Sequence, residues 1–243
     1  MKTLRERESN ASRSKRFKPG STAGDIASVE ELTEYLQDVK VSVPDDWKQV
    51  QNAHLTNGKV LYVDRGFIND ILVHVALFKP DGSVLLNVVI DHQMSLEDLL
   101  KLLDKNQNAF ASVIGRPVFE KYYGKRQADY EKLTLPQIPN RMDNMDIASY
   151  YLVEWSSNHC GYTHIWKKLN KFGLADEIMP PKSRSFTATN LFQYQILPGF
   201  FTHRLELLYP VLHPNCPLVP RHHLAGIDAI KLRNVMTKIL NFY

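Results

Sequence analysis

The residues best suited to chemistry lie near the end of the chain, in the segment Arg221-His222-His223-Leu224-Ala225-Gly226-Ile227-Asp228-Ala229. His223 precedes Asp228 by five residues, and the segment leads into an amphipathic helix predicted over residues 224–240. A histidine at the entrance of a helix and an aspartate one turn in can both face a site at the helix N-terminus. Because histidine titrates near neutral pH, the pair is typical of acid–base catalysis. Two solvated histidines after a proline-rich loop would give the same pattern.

Secondary-structure signals place this helix in an α/β protein. Apolar, β-branched runs predict five strands, over residues 60–64, 71–78, 83–90, 150–155 and 186–194. The turn Pro80-Asp81-Gly82 joins the second run to the third as a hairpin. Helical periodicity and capping residues predict helices over residues 28–40, 95–106, 109–123, 161–172, 202–209 and 224–240. A three-strand antiparallel meander followed by alternating strands and helices predicts a mixed five-stranded sheet flanked by helices.

Charge divides the chain of 243 residues into a tail and a body. The first twenty residues hold seven basic and two acidic side chains, a net charge of +5, whereas the whole chain carries +4. The polar composition predicts a disordered basic tail over residues 1–24, which could touch nucleic acid, act as a nuclear address or simply aid solubility. Residues 25–243 are predicted to form a single domain.

Cysteine usage and hydropathy bear on the compartment. Two cysteines, Cys160 and Cys216, are too few for a disulfide framework, which favours a reducing environment. No apolar run approaches the roughly 18 residues that a membrane span needs, and the N-terminus is polar. We therefore expect an intracellular protein of the cytoplasm or nucleus with no membrane partner.

The order of these features resembles the DEDDh group of 3′–5′ exonucleases, which have a ribonuclease H-like fold. The resemblance is carried by three meander strands with Asp64 at the end of the first, by a later strand followed by a helix, and by the segment His223-Leu224-Ala225-Gly226-Ile227-Asp228-Ala229. It covers roughly residues 60–240. Its one specific motif is the last segment, and the other matches are positional.

The resemblance implies hydrolysis of phosphodiester bonds by two metal ions about 4 Å apart. Several carboxylates must hold two such dications, and a neutral histidine takes the proton from the attacking water. By the same resemblance, His223 is the base, and Asp64 and Asp228 are the metal ligands. Gly66 and Gly161 stand where the family has its other two carboxylates, so the site offers about −2 of charge to about +4 of metal. The prediction is a remnant site with no cofactor, or with weakly bound Mg²⁺ or Mn²⁺.

Other side chains could replace the missing ligands. Four candidates lie near the expected positions in the sequence: Asp70, Glu154, His159 and Cys160. Cysteine and histidine suit softer metals than magnesium, so a complete replacement is the weaker interpretation. A zinc site formed by His213, Cys216 and the two histidines at 222 and 223 is a further alternative, but the spacing matches no strong zinc signature.

Binding of nucleic acid can outlast the loss of cleavage. The basic residues predicted to contact phosphates are Arg221, Lys125, Arg126, Lys167 and Lys168. The sequence therefore predicts a degenerate nuclease domain that binds single-stranded RNA or DNA, or a protein partner, without efficient cleavage. The alternative is an active metal-dependent 3′–5′ exonuclease that uses substitute ligands.

Overall fold

The structure, a computed structural model, describes residues 28–38, 43–68, 71–105, 109–124, 130–156, 158–199, 203–221 and 224–240. Five residues named above lie outside these ranges: Asp70, Lys125, Arg126, His222 and His223. The basic tail predicted over residues 1–24 also lies outside them. No helix within these ranges combines the length and the apolar character that a membrane crossing requires.

Three long apolar runs form neighbouring strands, β1 Val60–Ile68, β2 Ile71–Phe78 and β3 Val84–Asp91. They pair antiparallel in chain order. The turn between β2 and β3 closes with a hydrogen bond of 3.0 Å from the Lys79 N–H to the Ser83 carbonyl, and Gly82 adopts a φ of 89° there. A positive φ is accessible to glycine without steric cost. The predicted meander and its hairpin are confirmed.

Three short strands extend this meander: β4 Glu131–Thr134, β5 Tyr151–Glu154 and β6 Ser185–Thr187. The strand order is β4-β3-β2-β1-β5-β6, and β3–β4, β1–β5 and β5–β6 are parallel pairs. The mixed sheet is confirmed, but it has six strands rather than five. β4 was missed because its four residues begin with two charged, exposed side chains and carry no hydrophobic alternation.

The helices lie on both faces of the sheet. They are α1 Val29–Asp38, α2 Asp45–Thr56, α3 Leu96–Lys105, α4 Ala109–Tyr123, α5 Gln137–Asp143, α6 Cys160–Asn170, α7 Ala175–Ile178, α8 Ala188–Leu191, α9 Leu205–Leu212 and α10 Ala225–Leu240. The strand predicted over residues 186–194 was too long, because α8 and a π-helical turn at Phe192–Ile196 follow β6. α2, α5 and α7 were not predicted. α2 was missed because Pro44 was interpreted only as a break in the chain. Pro44 directly precedes α2 and its acidic first turn, a position that tolerates proline.

The alternation of side chains along the strands gives the sheet two apolar faces. Tyr62 and Val153 pack with α2, α9 and α10 on one face, whereas Val63 and Leu152 pack with α5, α6 and α7 on the other. Residues two apart on a strand share a face. Asp64 therefore follows Tyr62 on the face of α10, and Glu154 follows Leu152 on the face of α6.

Candidate functional site

Asp64 and Asp228 line one pocket, at the end of the apolar part of β1 and in the first turn of α10. The pocket has a volume of about 240 Å³. Its other lining residues are Arg65, Gly66, Phe67, Ile68, Val118 and Ala225. α10 packs directly on β1 and β2, which is what carries Asp228 to Asp64 across 164 positions of sequence. The structure thus brings together the two acids and the glycine that the sequence analysis assigned to one site.

A hydrogen-bond network fixes the start of α10 over the sheet. The Ala225 N–H hydrogen-bonds to the Tyr122 hydroxyl, which lies 2.7 Å from the buried His74 Nδ1. The His74 Nε2 lies 2.8 Å from the Asn87 Oδ1. Burial lowers the pKa of His74 to about 4, so its ring is neutral at pH 7 and can donate at one nitrogen and accept at the other. These side chains were not found from the sequence, because only the pairing of β2 with β3 and the packing of α4 bring them together.

The charge state of Asp64 differs from that of an ordinary aspartate. Burial, reinforced by the negative charge of Asp228, raises the pKa of Asp64 to about 8. The Arg65 backbone N–H and its guanidinium lower the pKa of Asp64 without reversing the shift, and the negative charge of Glu154 adds a smaller contribution that raises it. The Asp64 carboxyl is therefore mainly protonated at pH 7, and the pocket carries less negative charge than two carboxylates would give.

Gly66 leaves the pocket without a second side-chain carboxylate on β1. It pairs with His74 on β2, and a β-carbon at position 66 would lie 3.3 Å from the His74 β-carbon. That separation is tighter than an ordinary van der Waals contact, and His74 is held at both ring nitrogens. The glycine therefore fits this close pairing of strands.

Gly161 lies beside a different carboxylate, that of Glu154. The buried Glu154 accepts hydrogen bonds from the backbone N–H groups of Gly161 and Tyr162 in the first turn of α6. A carboxylate at this end of a helix is stabilised by the unpaired N–H groups and by the helix dipole. A β-carbon at position 161 would overlap the Glu154 Oε2. The glycine at this position is thus a requirement of the Glu154 cap.

The proposed substitute ligands do not line the pocket. Glu154 is bonded to α6 on the opposite face of the sheet. His159 has a left-handed backbone (φ 50°), and its Nδ1 lies 3.1 Å from the Ser185 Oγ in a separate cavity of about 540 Å³. Cys160 contributes its carbonyl, which accepts a hydrogen bond from the Arg65 Nε at 3.4 Å. Asp70 lies outside the described residues.

The described residues do not fit a two-metal centre. Among them, no group of three His, Cys, Asp or Glu side chains is close enough to hold a metal ion. In the pocket, two dications would face Asp64, which is mainly protonated, and Asp228. Cys216 of the alternative zinc site accepts a hydrogen bond from the Tyr209 hydroxyl at 3.0 Å, and the His213 ring packs on the ring of Tyr209. The position of His223, the predicted base, lies outside the described residues.

A basic and aromatic cluster on the α6 face of the sheet shares Arg65 and Phe67 with the lining of the pocket, and we call it the Arg65–Lys168 ledge. The rings of Phe67 and His164 stack with centroids 4.2 Å apart and planes within 2°. The Arg65 guanidinium and the Lys168 ammonium lie 5.5 and 5.7 Å from the centre of the Phe67 ring. Phe67 and His164 were not predicted as site residues, since one lies on β1 and the other on α6 with no sequence signal linking them.

The remaining predicted basic residues differ in their surroundings. Lys167 is exposed on α6 beside the ledge. Arg221 is exposed, and its backbone carbonyl accepts a hydrogen bond from Lys231, a buried lysine of α10 that the sequence analysis missed. The Lys231 Nζ lies 3.9 Å from the Asp228 Oδ1. The i,i+3 spacing on a helix was the signal that could have revealed this pair.

Comparisons with protein-family models, with curated proteins and with solved structures found no match to this chain. Fold and site define it as an α/β protein with a six-stranded mixed sheet and a pocket formed by one acid on β1 and one on α10. The resemblance to DEDDh exonucleases stays a prediction.

Proposed function

We propose that this protein is a degenerate nuclease domain with a ribonuclease H-like fold, which binds single-stranded nucleic acid without cleaving it efficiently. The observation that carries the proposal is that Arg65 and Phe67 line the Asp64–Asp228 pocket and also form part of the Arg65–Lys168 ledge. An acid on the first meander strand and another on the last helix, meeting at one pocket, is the arrangement that the DEDDh resemblance implies.

The lack of efficient cleavage follows from the carboxylates that remain. Gly66 and Gly161 stand at two of the four expected acidic positions, and each fits a close contact, with His74 and with Glu154 respectively. The raised pKa of Asp64 removes further negative charge at pH 7. A pocket with this charge provides little compensation for two dications.

The ledge supports nucleic acid as the ligand. Flat ring systems next to cations suit bases and phosphates, because bases stack on aromatic faces and phosphates pair with ammonium and guanidinium groups. Arg65 and Phe67 belong to both the pocket and the ledge. A single strand of nucleic acid bound on the ledge would therefore reach the pocket. A protein partner with acidic side chains is the competing ligand for the same surface.

The test is binding of a fluorescent single-stranded oligonucleotide, followed by anisotropy at several salt concentrations. Lys168→Ala is expected to weaken binding several-fold and to reduce the slope of log K against log salt by about 0.7, the share of one phosphate contact on a single strand. Lys171→Ala removes an equally basic but exposed side chain at the end of α6 and is the matched control, with little change expected. Equal effects of the two substitutions would contradict a role for the ledge.

The absence of efficient cleavage is tested on the same oligonucleotide with Mg²⁺ or Mn²⁺. We expect the wild type and Asp228→Ala to leave the strand equally intact over hours. Degradation by the wild type that Asp228→Ala abolishes would instead establish the alternative, an active exonuclease.

A further inference from the structure

Lys231 is a completely buried cation next to the candidate site. It lies three residues after Asp228 on α10, and its side chain is 1% exposed. The Lys231 Nζ lies 3.9 Å from the Asp228 Oδ1 and donates a hydrogen bond to the Arg221 carbonyl. It also lies 5.6 Å from the centre of the Tyr209 ring. A lysine is almost never fully buried unless it is paired, so this placement has an electrostatic reason.

That reason is the charge of Asp228. Burial lowers the pKa of Lys231, and the negative charge of Asp228 is the largest influence that opposes this shift, ahead of Glu206 and Cys216. Asp228 is itself only 17% exposed at its side chain and stands beside the second acid, Asp64. A buried carboxylate without a cation would be strongly unfavourable.

We infer that the ammonium of Lys231 holds the charge-balancing place that a divalent cation would take beside Asp228, so that the charge of the Asp228 carboxylate is balanced without a metal ion. The inference rests on the proposed function, because it concerns the same remnant site. A dication that entered the pocket would meet a carboxylate already neutralised and a fixed positive charge behind it. Lys231 is therefore a positioning and charge-balancing residue of a site that has exchanged metal binding for an internal ion pair.

The experiment measures Mn²⁺ binding to the full chain without nucleic acid, by the electron paramagnetic resonance signal of the free ion. Lys231→Met removes the ammonium but keeps an unbranched side chain, and it is expected to bind Mn²⁺ about ten-fold more tightly than the wild type, since affinity follows the net charge of the ligands. Lys231→Met with Asp228→Asn should lose this gain.

Lys238→Met is the matched control. Lys238 also lies on α10 and also donates to a backbone carbonyl, that of Leu212, at 2.7 Å. We expect it to bind Mn²⁺ like the wild type. A gain in Lys238→Met equal to that in Lys231→Met, no gain in a folded Lys231→Met, or wild-type binding as tight as that of Lys231→Met would each overturn the inference.

A folding measurement covers the case in which Lys231→Met is unstable. If Lys231 neutralises Asp228, adding Asp228→Asn to Lys231→Met should restore much of the lost resistance to urea. A double variant as unstable as Lys231→Met would reduce Lys231 to a hydrogen-bond donor for the Arg221 carbonyl and would overturn the inference. Oligonucleotide binding is tested separately through Lys168→Ala. The failure of the proposed nucleic-acid binding can therefore be distinguished from the failure of the inference on Lys231.

Discussion

At the scale of single residues, Asp64 is the side chain whose chemistry the fold changes most. It sits on β1 beside Asp228, and burial together with that neighbouring charge raises its pKa to about 8. Folding therefore places a proton on a group that is ionised in the unfolded chain at pH 7. A protonated Asp64 carboxyl has the capacity to donate a hydrogen bond as well as to accept one, which an ionised aspartate lacks.

This shift predicts how stability depends on pH. The folded pKa of Asp64 lies above its ordinary value of 3.8, so its contribution to stability is complete below about pH 4 and is lost as the pH rises through about 8. Asp64→Asn removes that dependence, so its stability relative to the wild type should rise by up to about 1.4 kcal/mol per pH unit between pH 5 and 7. Urea unfolding at pH 5, 6, 7 and 8 measures it. Asp143→Asn, at the exposed end of α5, is the control, and parallel curves for wild type and Asp64→Asn would contradict the prediction.

At the scale of elements, two junctions build the site. The Ala225 N–H, Tyr122, His74 and Asn87 network ties the start of α10 to β2, β3 and α4. Gly226 belongs to the same contact, because a β-carbon there would lie 2.7 Å from the Asn87 Oδ1. The second junction joins β5 to α6 through the Glu154 carboxylate. Both junctions combine a polar side chain, the half-buried Asn87 or the buried Glu154, with a glycine that lets the helix approach it.

The β5–α6 junction yields a prediction on Gly161. Gly161→Ala should destabilise the protein by about 2 kcal/mol, because the added methyl group overlaps the Glu154 carboxylate and overpacking of this kind costs about 1–3 kcal/mol. In a Glu154→Ala background the same substitution should cost much less, which a double-mutant cycle by urea unfolding measures. Equal costs in the two backgrounds would show that Glu154 is not the obstacle. For the same reason, an aspartate at position 161 needs a shorter side chain at 154.

At the scale of the whole molecule, the basic charge belongs mainly to the tail. Residues 1–24 carry +5 and residues 25–243 carry −1, yet the ledge gathers Arg65 and Lys168 around Phe67. Two sources of affinity for nucleic acid are thus expected, one general and dependent on salt, the other local to the ledge.

Deletion of residues 1–24 separates these two sources. The deletion should lower oligonucleotide affinity at low salt and flatten the salt dependence, since it removes seven basic side chains. The loss caused by Lys168→Ala should persist in the shortened chain, as measured by anisotropy at about 50 and 200 mM salt. If the shortened chain bound no oligonucleotide at either concentration, the tail alone would explain the binding.

Much of the framework was predictable because it depends on local patterns. The hairpin of β2 and β3, the amphipathic α3 and the long α10 follow from turn chemistry and periodicity over short windows. β4, α5 and α7 were missed because they are short and depend on their neighbours. The convergence of Asp64 with Asp228 was predicted from chain order and is what the structure contains.

The sequence by itself determined the class of fold, and it predicted the two acids and the glycines at the other expected acidic positions. Only the tertiary structure decided why those glycines are there, which charge Asp64 carries, and which cation faces Asp228. Strand pairing sets Gly66 against His74, the β5–α6 junction sets Gly161 against Glu154, and the turn of α10 sets Lys231 beside Asp228. The physical reason is that burial and close approach govern both sterics and charge, and both arise between residues far apart in the chain.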